Sequence, residues 1–267
     1  MSKKHKETVQ KQFTKTADAF AKFAVRDSVE VLAEKVEFVK AQTHELVLDV
    51  ACGPGAFVLA IAPRVRFALG IDLTPEMLRQ ARQFQAEKQI ANVAFARGDA
   101  DNLPFPDACF DLVSCQHAFH HITKPEPVLQ EMIRVTKPEG RLLILDPLAP
   151  ESDAKFELYN HIERLRDPSH TSSLRLTSFL SMFEQHGLEV FRQSLRRRPR
   201  SFNQWMERAG AAPGKKRYAE TRQQMEESTP GDKAGFSARA DGDDIQFIHN
   251  EGMFLAKRLP TDSANSA

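Results

Sequence analysis

The sequence has few cysteines, almost no net charge and no long apolar run. Its three cysteines, Cys52, Cys109 and Cys115, form no C-x-x-C pair and no even set, so they predict no disulfide framework. A formal net charge of +1 gives no general attraction to nucleic acid or to an anionic membrane. No apolar stretch reaches the roughly 18 residues of a membrane-spanning helix. We therefore expect a cytoplasmic protein with no metal, no membrane and no nucleic-acid partner.

What the sequence does contain is a strand, turn and helix pattern near residue 50. An apolar run over residues 46–50 stops at Gly53 and Gly55, and a helical pattern follows at once. Glycines in such a turn let the backbone approach a ligand closely. A second strand-like run ends at Asp72, about 20 residues further on, where a carboxylate can accept hydrogen bonds from a ribose diol. Together they predict a nucleoside-containing cofactor in a doubly wound α/β fold.

The turn does not match a dinucleotide-binding motif. That motif needs G-x-G-x-x-G, and Val58 stands where the third glycine belongs. Asp49, just before the turn, would repel a pyrophosphate but suits a cationic group such as an ammonium. A nicotinamide-dependent oxidoreductase is therefore the weaker alternative.

Residues 48–55 and 70–78 resemble the opening motifs of class I S-adenosylmethionine-dependent methyltransferases. The similarity is to the small-molecule branch that includes ubiquinone and menaquinone biosynthesis (methyltransferase type 11), and it covers roughly residues 46–146. It implies an α/β, doubly wound, seven-stranded sheet that is mostly parallel, with the last strand antiparallel. It also implies S-adenosylmethionine as the cofactor, and methyl transfer to O, C or N of a small organic acceptor by a monomer or homodimer.

The resemblance places the cofactor at the ends of the first four strands. It puts Asp99 near the adenine amino group and the backbone N–H of Ala100 near a ring nitrogen, although Asp99 taken alone could be a turn-forming acid. The predicted cofactor-contacting residues are Asp49, Ala51, Gly53, Gly55, Asp72, Leu73, Met77, Gly98, Asp99, Ala100 and Gln116.

Catalytic residues are harder to predict, because methyl transfer from a sulfonium needs orientation and only for some acceptors a base. The candidate bases are His120, His121 and His161, with His170 as a further one. A packing or capping role is the alternative for His121. His161 and Arg164 are spaced to share one helix face.

The chain divides into four predicted parts: a helical lid over 1–45, a cofactor-binding core over 46–150, substrate-recognition insertions and closing strands over 151–259, and a disordered tail over 260–267. The basic run over 196–200 is either a solvated strand end or a contact for an acidic substrate or partner. Residues 229–244 are predicted to be a mobile loop or hairpin tip.

A second function remains open at this point. A non-catalytic protein that binds S-adenosylmethionine or S-adenosylhomocysteine, and regulates or contacts a partner, would carry the same motifs. Methylation of nucleic-acid bases is disfavoured, because the fourth strand ends in residues 114–117 without the Asn/Asp-Pro-Pro-aromatic signature of base amino-group methylation.

Overall fold

One mixed sheet with helices on both faces organises the molecule. The computed structural model describes residues 1–26 and 29–259, so the predicted tail lies outside the described residues. The helices are α1 (Lys3–Arg26), α2 (Val29–Val39), α3 (Ala56–Ile61), α4 (Pro75–Lys88), α5 (Pro125–Val135), α6 (Asp153–Arg166), α7 (Leu176–Gln185), α8 (Phe202–Arg208) and α9 (Lys216–Ser228). The strands are β1 (Leu46–Val50), β2 (Phe67–Asp72), β3 (Val93–Arg97), β4 (Phe110–Gln116), β5 (Thr136–Leu148), β6 (Leu188–Ser201), β7 (Arg239–Asp241) and β8 (Asp244–Arg258).

The strand order is β3-β2-β1-β4-β5-β8-β6. The first five strands in this order are parallel, and β8 runs antiparallel to both of its neighbours, β5 and β6. This is the predicted doubly wound α/β fold with an antiparallel last strand. The structure adds an eighth strand, β7, which pairs with the start of β8 where β5 has already ended. It thereby covers backbone groups that would otherwise form an open edge.

The parallel strands are apolar because helices cover both of their faces. Leu48 and Val113 belong to the core on one face, and Val47 and Leu112 belong to the core on the other. Residues 137–140, although they include Pro138 and Gly140, lie within β5, at an irregularity where the register against β4 shifts between Phe110 and Leu112.

Strands β6 and β8 extend beyond the rest of the sheet. Residues 244–249 of β8 run past the end of β5, still paired with β6 and, at their start, with β7. Helices α6, α8 and α9 pack on this extension and form a third apolar cluster around Tyr159, Trp205 and Phe236. The extension therefore builds a wall beside the carboxyl ends of the parallel strands.

Candidate active site

A cavity of about 530 Å³ lies between the carboxyl ends of the parallel strands and the wall made by β6 and β8. We call its two parts the turn half and the extension half. The turn half is lined by Asp49, Ala51, Gly53, Asp72, Leu73, Met77, Gly98, Asp99, Ala100 and Gln116. The extension half is lined by His117, His120, Glu163, Arg166, His170, Arg198, Arg200, Trp205, His249 and Glu251.

The glycine turn opens onto the turn half as predicted, but its two glycines have different structural roles. Gly53 has a φ of +52°, and a Cβ atom added there would meet nothing within 4 Å, so a ligand can approach its backbone. Gly55 has a φ of +78°, and a Cβ there would come within 2.6 Å of the Phe95 ring. Gly55 does not line the cavity. Its packing against the Phe95 ring holds the turn on the side away from the cavity, so a direct contact between Gly55 and a cofactor has no support here.

Asp72 is bound to the same turn. One carboxylate oxygen accepts a hydrogen bond from the backbone N–H of Gly53 at 2.9 Å, and the other accepts one from Thr74 at 2.8 Å. Burial raises the pKa of Asp72, although these backbone donors oppose the rise. Asp72 lines the cavity, and a carboxylate oxygen can accept more than one hydrogen bond, so it can also accept from a ligand hydroxyl.

Asp49 and Gln116 are the buried polar groups at the other side of the turn. The Ser114 hydroxyl donates to Asp49 at 2.5 Å, yet burial still raises the Asp49 pKa to about 7. Neither amide atom of Gln116 has a hydrogen-bond partner among the described residues, although both are buried. A ligand with a cationic group and further polar atoms would satisfy both side chains. The residues of the turn half therefore fit S-adenosylmethionine.

Helix α1 crosses the mouth of the turn half. The Lys6 ammonium donates to Asp99 at 2.5 Å and lies 2.8 Å from Asp101. The Gln10 amide donates to the backbone carbonyl of Leu73 at 2.9 Å. Two residues predicted to contact the cofactor, Leu73 and Asp99, therefore also contact this helix.

His120 and Asp146 form a buried pair at the edge of the extension half. Asp146, near the end of β5, accepts from the backbone N–H of His120 at 2.9 Å and lies 3.0 Å from His120 Nδ1. Burial alone would lower the His120 pKa, but the charge and hydrogen bond of Asp146 raise it above the ordinary value. Nε2 of His120 has no hydrogen bond with any residue in the described ranges, and the ring lines the cavity.

The other predicted histidines are placed differently. His121 is packed, with Nδ1 at 3.1 Å from the Ser169 hydroxyl and its ring edge-on to Phe13, and burial lowers its pKa to about 3. His170 contacts the Asn160 side chain at 3.0 Å. His161 is exposed and does not line the cavity, because α6 turns Ile162 and Glu163 inward and leaves His161 outside. The structure thus does not bring His161 together with the other candidates.

His117 is a cavity residue that the sequence reasoning missed. Its φ of +52° is rare for a residue with a side chain, and its N–H donates to Leu145 at 2.7 Å. The side chain is exposed to the cavity yet surrounded by protein, and this desolvation lowers its pKa to about 3. His117 is therefore neutral at physiological pH.

The extension half also contains glutamates that were not predicted as site residues, and arginines of the basic run over 196–200, for which a contact with an acidic substrate was one of the two interpretations. Arg198 and Arg200 both contact Glu251, at 3.0 and 2.9 Å. Glu163 lies 2.9 Å from His249 and 3.5 Å from Arg166. Of the two interpretations of the basic run over 196–200, a solvated strand end does not describe Arg198 and Arg200, which line the cavity, and a contact with an acidic substrate or partner stays a prediction. The period-2 alternation of β6 is the signal that could have found them.

Within residues 1–26 and 29–259, no group of His, Cys, Asp or Glu side chains is arranged to hold a metal ion. None of the helices in those ranges is long and apolar enough to cross a membrane.

Comparisons with known proteins bear on this geometry. A family model described as a methyltransferase domain matches residues 41–210. The uncharacterised methyltransferase YcgJ of Bacillus subtilis is 35% identical over 198 residues, which cover 74% of this chain and 78% of YcgJ. Its crystal structure superposes with a TM-score of 0.80 over 86% of this chain and 98% of YcgJ, at 30% identity.

Two further matches cover less sequence or show less identity. A demethylmenaquinone methyltransferase from Deinococcus radiodurans is 42% identical over 125 residues, which is 45% of this chain and 51% of that protein. The [4+2]-cyclase SpnF has a TM-score of 0.63 over 87% of this chain and 81% of SpnF, at 17% identity, which shows a shared fold alone.

Proposed function

This chain belongs to the methyltransferase-domain family, and we propose that it transfers a methyl group from S-adenosylmethionine to a small organic acceptor. The observation that carries the proposal is that one cavity joins the Gly53 turn and Asp72 to the His120–Asp146 pair. The turn half would hold the cofactor, and the extension half would hold the acceptor beside the reacting methyl group.

The cofactor would be held mainly by carboxylates and backbone groups. Asp72 would accept hydrogen bonds from ribose hydroxyls with the acceptor positions that Gly53 and Thr74 leave free. Asp49 would face the ammonium group, whose charge favours the ionised carboxylate. Asp99 and the N–H of Ala100 would bind the adenine edge. When bound, the cofactor supplies an electrophilic methyl group, so the protein needs no covalent nucleophile.

His120 would act as the base that takes a proton from the acceptor, which it would accept on Nε2. Because Nδ1 contacts Asp146, the neutral imidazole carries its proton on Nδ1 and presents Nε2 as the acceptor atom. Asp146 also binds the backbone N–H of His120, so one carboxylate fixes both the ring and the main chain. The same carboxylate stabilises the imidazolium that forms when the proton is taken.

A non-catalytic role in binding the cofactor or S-adenosylhomocysteine is the competing function. The His120–Asp146 pair favours catalysis over it, because ligand binding alone gives no reason to bury a titratable pair next to the cavity. The acceptor atom in this proposal is an O, N or C atom, whose proton must come within hydrogen-bond reach of His120.

Calorimetry with S-adenosylmethionine and S-adenosylhomocysteine tests the cofactor part of the proposal. Asp72→Ala should weaken both ligands by about 100-fold or more, because two hydrogen bonds to a charged acceptor contribute about 1.5–3 kcal/mol each. Asp241→Ala, on the exposed strand β7, is the matched control and should bind normally. Unchanged affinity in Asp72→Ala would contradict the assignment.

The catalytic part is tested by offering the protein a panel of small phenols, amines and carboxylic acids as acceptors. The measurement is the release of S-adenosylhomocysteine formed from S-adenosylmethionine with each acceptor. Release above the acceptor-free background supports methyl transfer. Normal cofactor binding without release for any acceptor would favour the non-catalytic role, and absence of cofactor binding would overturn both.

A further inference from the structure

The paired ends of β6 and β8 present cationic side chains to the cavity. Arg198 stands opposite His249 and Arg200 opposite Phe247 in the antiparallel register. Directly opposite residues project from the same face of a sheet, and so do residues two apart along one strand. Arg198, Arg200 and Glu251 therefore share the face that lines the extension half, whereas Arg197 is exposed and belongs to the other face.

Two guanidinium groups on this face share a single carboxylate. Nε of Arg198 lies 3.0 Å from one oxygen of Glu251, and Nη2 of Arg200 lies 2.9 Å from the other. The Glu251 side chain is only 3% exposed. Burial alone would raise its pKa, but the charges of His117, Arg200 and Arg198 lower it to about 2, a range in which His117 is itself protonated. Glu251 is ionised at physiological pH. Arg198, Arg200 and Glu251, which we call the trio, therefore keep one uncompensated positive charge.

Other charged side chains line the same cavity, among them Glu163, Arg166, Asp167 and Arg208. Arg166 lies 3.5 Å from Glu163, so that arginine has an anionic partner of its own. Arg196, on the same face as the trio, contacts Glu34 at 2.5 Å. His117 faces the trio as a neutral imidazole.

A second donor lies beside the trio. Trp205 is 4% exposed and lines the cavity, and its Nε1–H has no hydrogen-bond partner among the described residues. Its ring packs against Phe247 at 5.0 Å and His249 at 5.7 Å between centroids, and these residues stand opposite Arg200 and Arg198. A buried N–H without an acceptor is costly, so its presence in a cavity wall indicates a ligand acceptor.

We propose that Arg198 and Arg200 bind a carboxylate group of the methyl acceptor, with the Trp205 N–H donating to the same group. This rests on the proposed function, and it names the substrate class: small carboxylic acids that carry a separate nucleophilic O, N or C atom. The sheet register supports the placement, because Pro147 stands opposite Glu251 and follows Asp146, the partner of His120. Asp146 and Glu251 thus belong to adjacent strands, β5 and β8, and His120, Arg198 and Arg200 line one cavity.

A carboxylate fits this site better than a phosphate does. Each arginine uses one nitrogen on Glu251, so other N–H groups of the planar guanidinium remain to form paired hydrogen bonds with a carboxylate. One uncompensated positive charge matches a monoanion, whereas a phosphate dianion would leave a buried negative charge without compensation.

The test compares carboxylates with their neutral amides on protein saturated with S-adenosylhomocysteine. Ligand-observed NMR would measure benzoate against benzamide, and indole-3-carboxylate against indole-3-carboxamide, with inorganic phosphate as a separate probe. Wild type should bind each carboxylate about tenfold or more tightly than its amide. Arg198→Gln and Arg200→Gln should reduce this preference to about twofold or less, and Arg197→Gln, the matched control, should retain it.

Glu251→Gln gives a test of opposite sign. Removing the shared carboxylate leaves two positive charges, so carboxylates should bind several-fold more tightly than they bind wild type. Equal binding of acids and amides by wild type, tighter binding of phosphate than of carboxylates, or an equal loss in Arg197→Gln would each overturn the proposal. Affinity for S-adenosylhomocysteine separates the two levels: if it is normal and the acid preference is absent, this inference alone fails, whereas no affinity removes the proposed function itself.

Discussion

The two halves of the cavity are built from different parts of the protein. The turn half comes from strand ends and tight turns within residues 49–116, and its polar groups are backbone N–H donors and aspartates. The extension half combines residues from α6, β6, α8 and β8, which are far apart in the sequence, and its polar groups are arginines, glutamates and histidines. Under the proposed function, a local turn would bind the cofactor, which is constant, whereas side chains on a separate scaffold would recognise the acceptor, which varies.

The largest expected effect separates chemistry from cofactor binding. His120→Ala should lower kcat by about 10²–10⁴-fold, because a positioned base is lost, with S-adenosylhomocysteine affinity within about twofold of wild type. The measurements are steady-state kinetics with an active acceptor and calorimetry. His161→Ala, on the exposed face of α6, is the control and should keep both values. Equal losses of turnover and cofactor affinity would mean that the halves do not act separately.

The same variant should change the pH profile. Asp146 raises the His120 pKa above its ordinary value, and only neutral imidazole accepts a proton. The wild-type rate should therefore rise with pH through that raised pKa, and the remaining rate of His120→Ala should lack this rise.

A smaller effect should show that the extension half has its own core. Phe236 is buried, stacks on Tyr159 at 4.5 Å and meets Phe247 edge-on at 5.5 Å. Phe236→Ala should lower the free energy of unfolding by about 3 kcal/mol or more, measured by urea denaturation. Hydrogen exchange should accelerate in α6 and α8 first, and S-adenosylhomocysteine should still bind. Faster exchange confined to β1 and β2 would contradict a separate core.

The smallest effect concerns the pH dependence of the two ligands. Burial raises the Asp49 pKa to about 7, and a cationic cofactor group would lower it on binding. Cofactor affinity should therefore increase by up to about tenfold per pH unit from about pH 5.5 to 7, with protons released, and then level off. Calorimetry in buffers of different ionisation enthalpy measures this release.

Asp49→Asn is the control for that measurement. It should bind the cofactor more weakly at neutral pH, without the pH dependence. In His120→Ala, which removes the titrating imidazole from the extension half, the carboxylate preference should stay constant over the same range, because guanidinium groups remain charged and the Glu251 pKa is about 2. A flat cofactor affinity in wild type would show that Asp49 does not face a cation.

The sequence predicted the turn half because its signals are local. Gly53 and Asp72 are separated by one helix, and the spacing alone places both at the same edge of a parallel sheet. Gly55 belonged to the same motif, but its contact with Phe95 depends on a strand 40 residues away. Strand and helix alternation predicted the doubly wound sheet, and the family resemblance implied the antiparallel last strand. The three-residue strand β7 is too short to leave a pattern.

The extension half could be predicted only in part, since its geometry depends on helix phase and long-range pairing. His161 was a candidate base because an imidazole can take a proton near neutral pH, but it lies on the outer side of α6, whereas Ile162 and Glu163 face inward. His120 was correctly placed at the cavity, yet its partner Asp146 comes from another strand. Nothing in the sequence indicates that Glu251 stands between two arginines, because that contact requires the register of β6 on β8.

Helix α1 has a consequence for the catalytic cycle. It is anchored over the turn half through Lys6 on Asp99 and Gln10 on Leu73, and it reaches the other half through Phe13 on His121. Release of S-adenosylhomocysteine and binding of new S-adenosylmethionine would then require helix α1 to move off the turn half and break these contacts in each turnover. We expect product departure, rather than bond making, to limit the steady-state rate, with a burst in the first turnover.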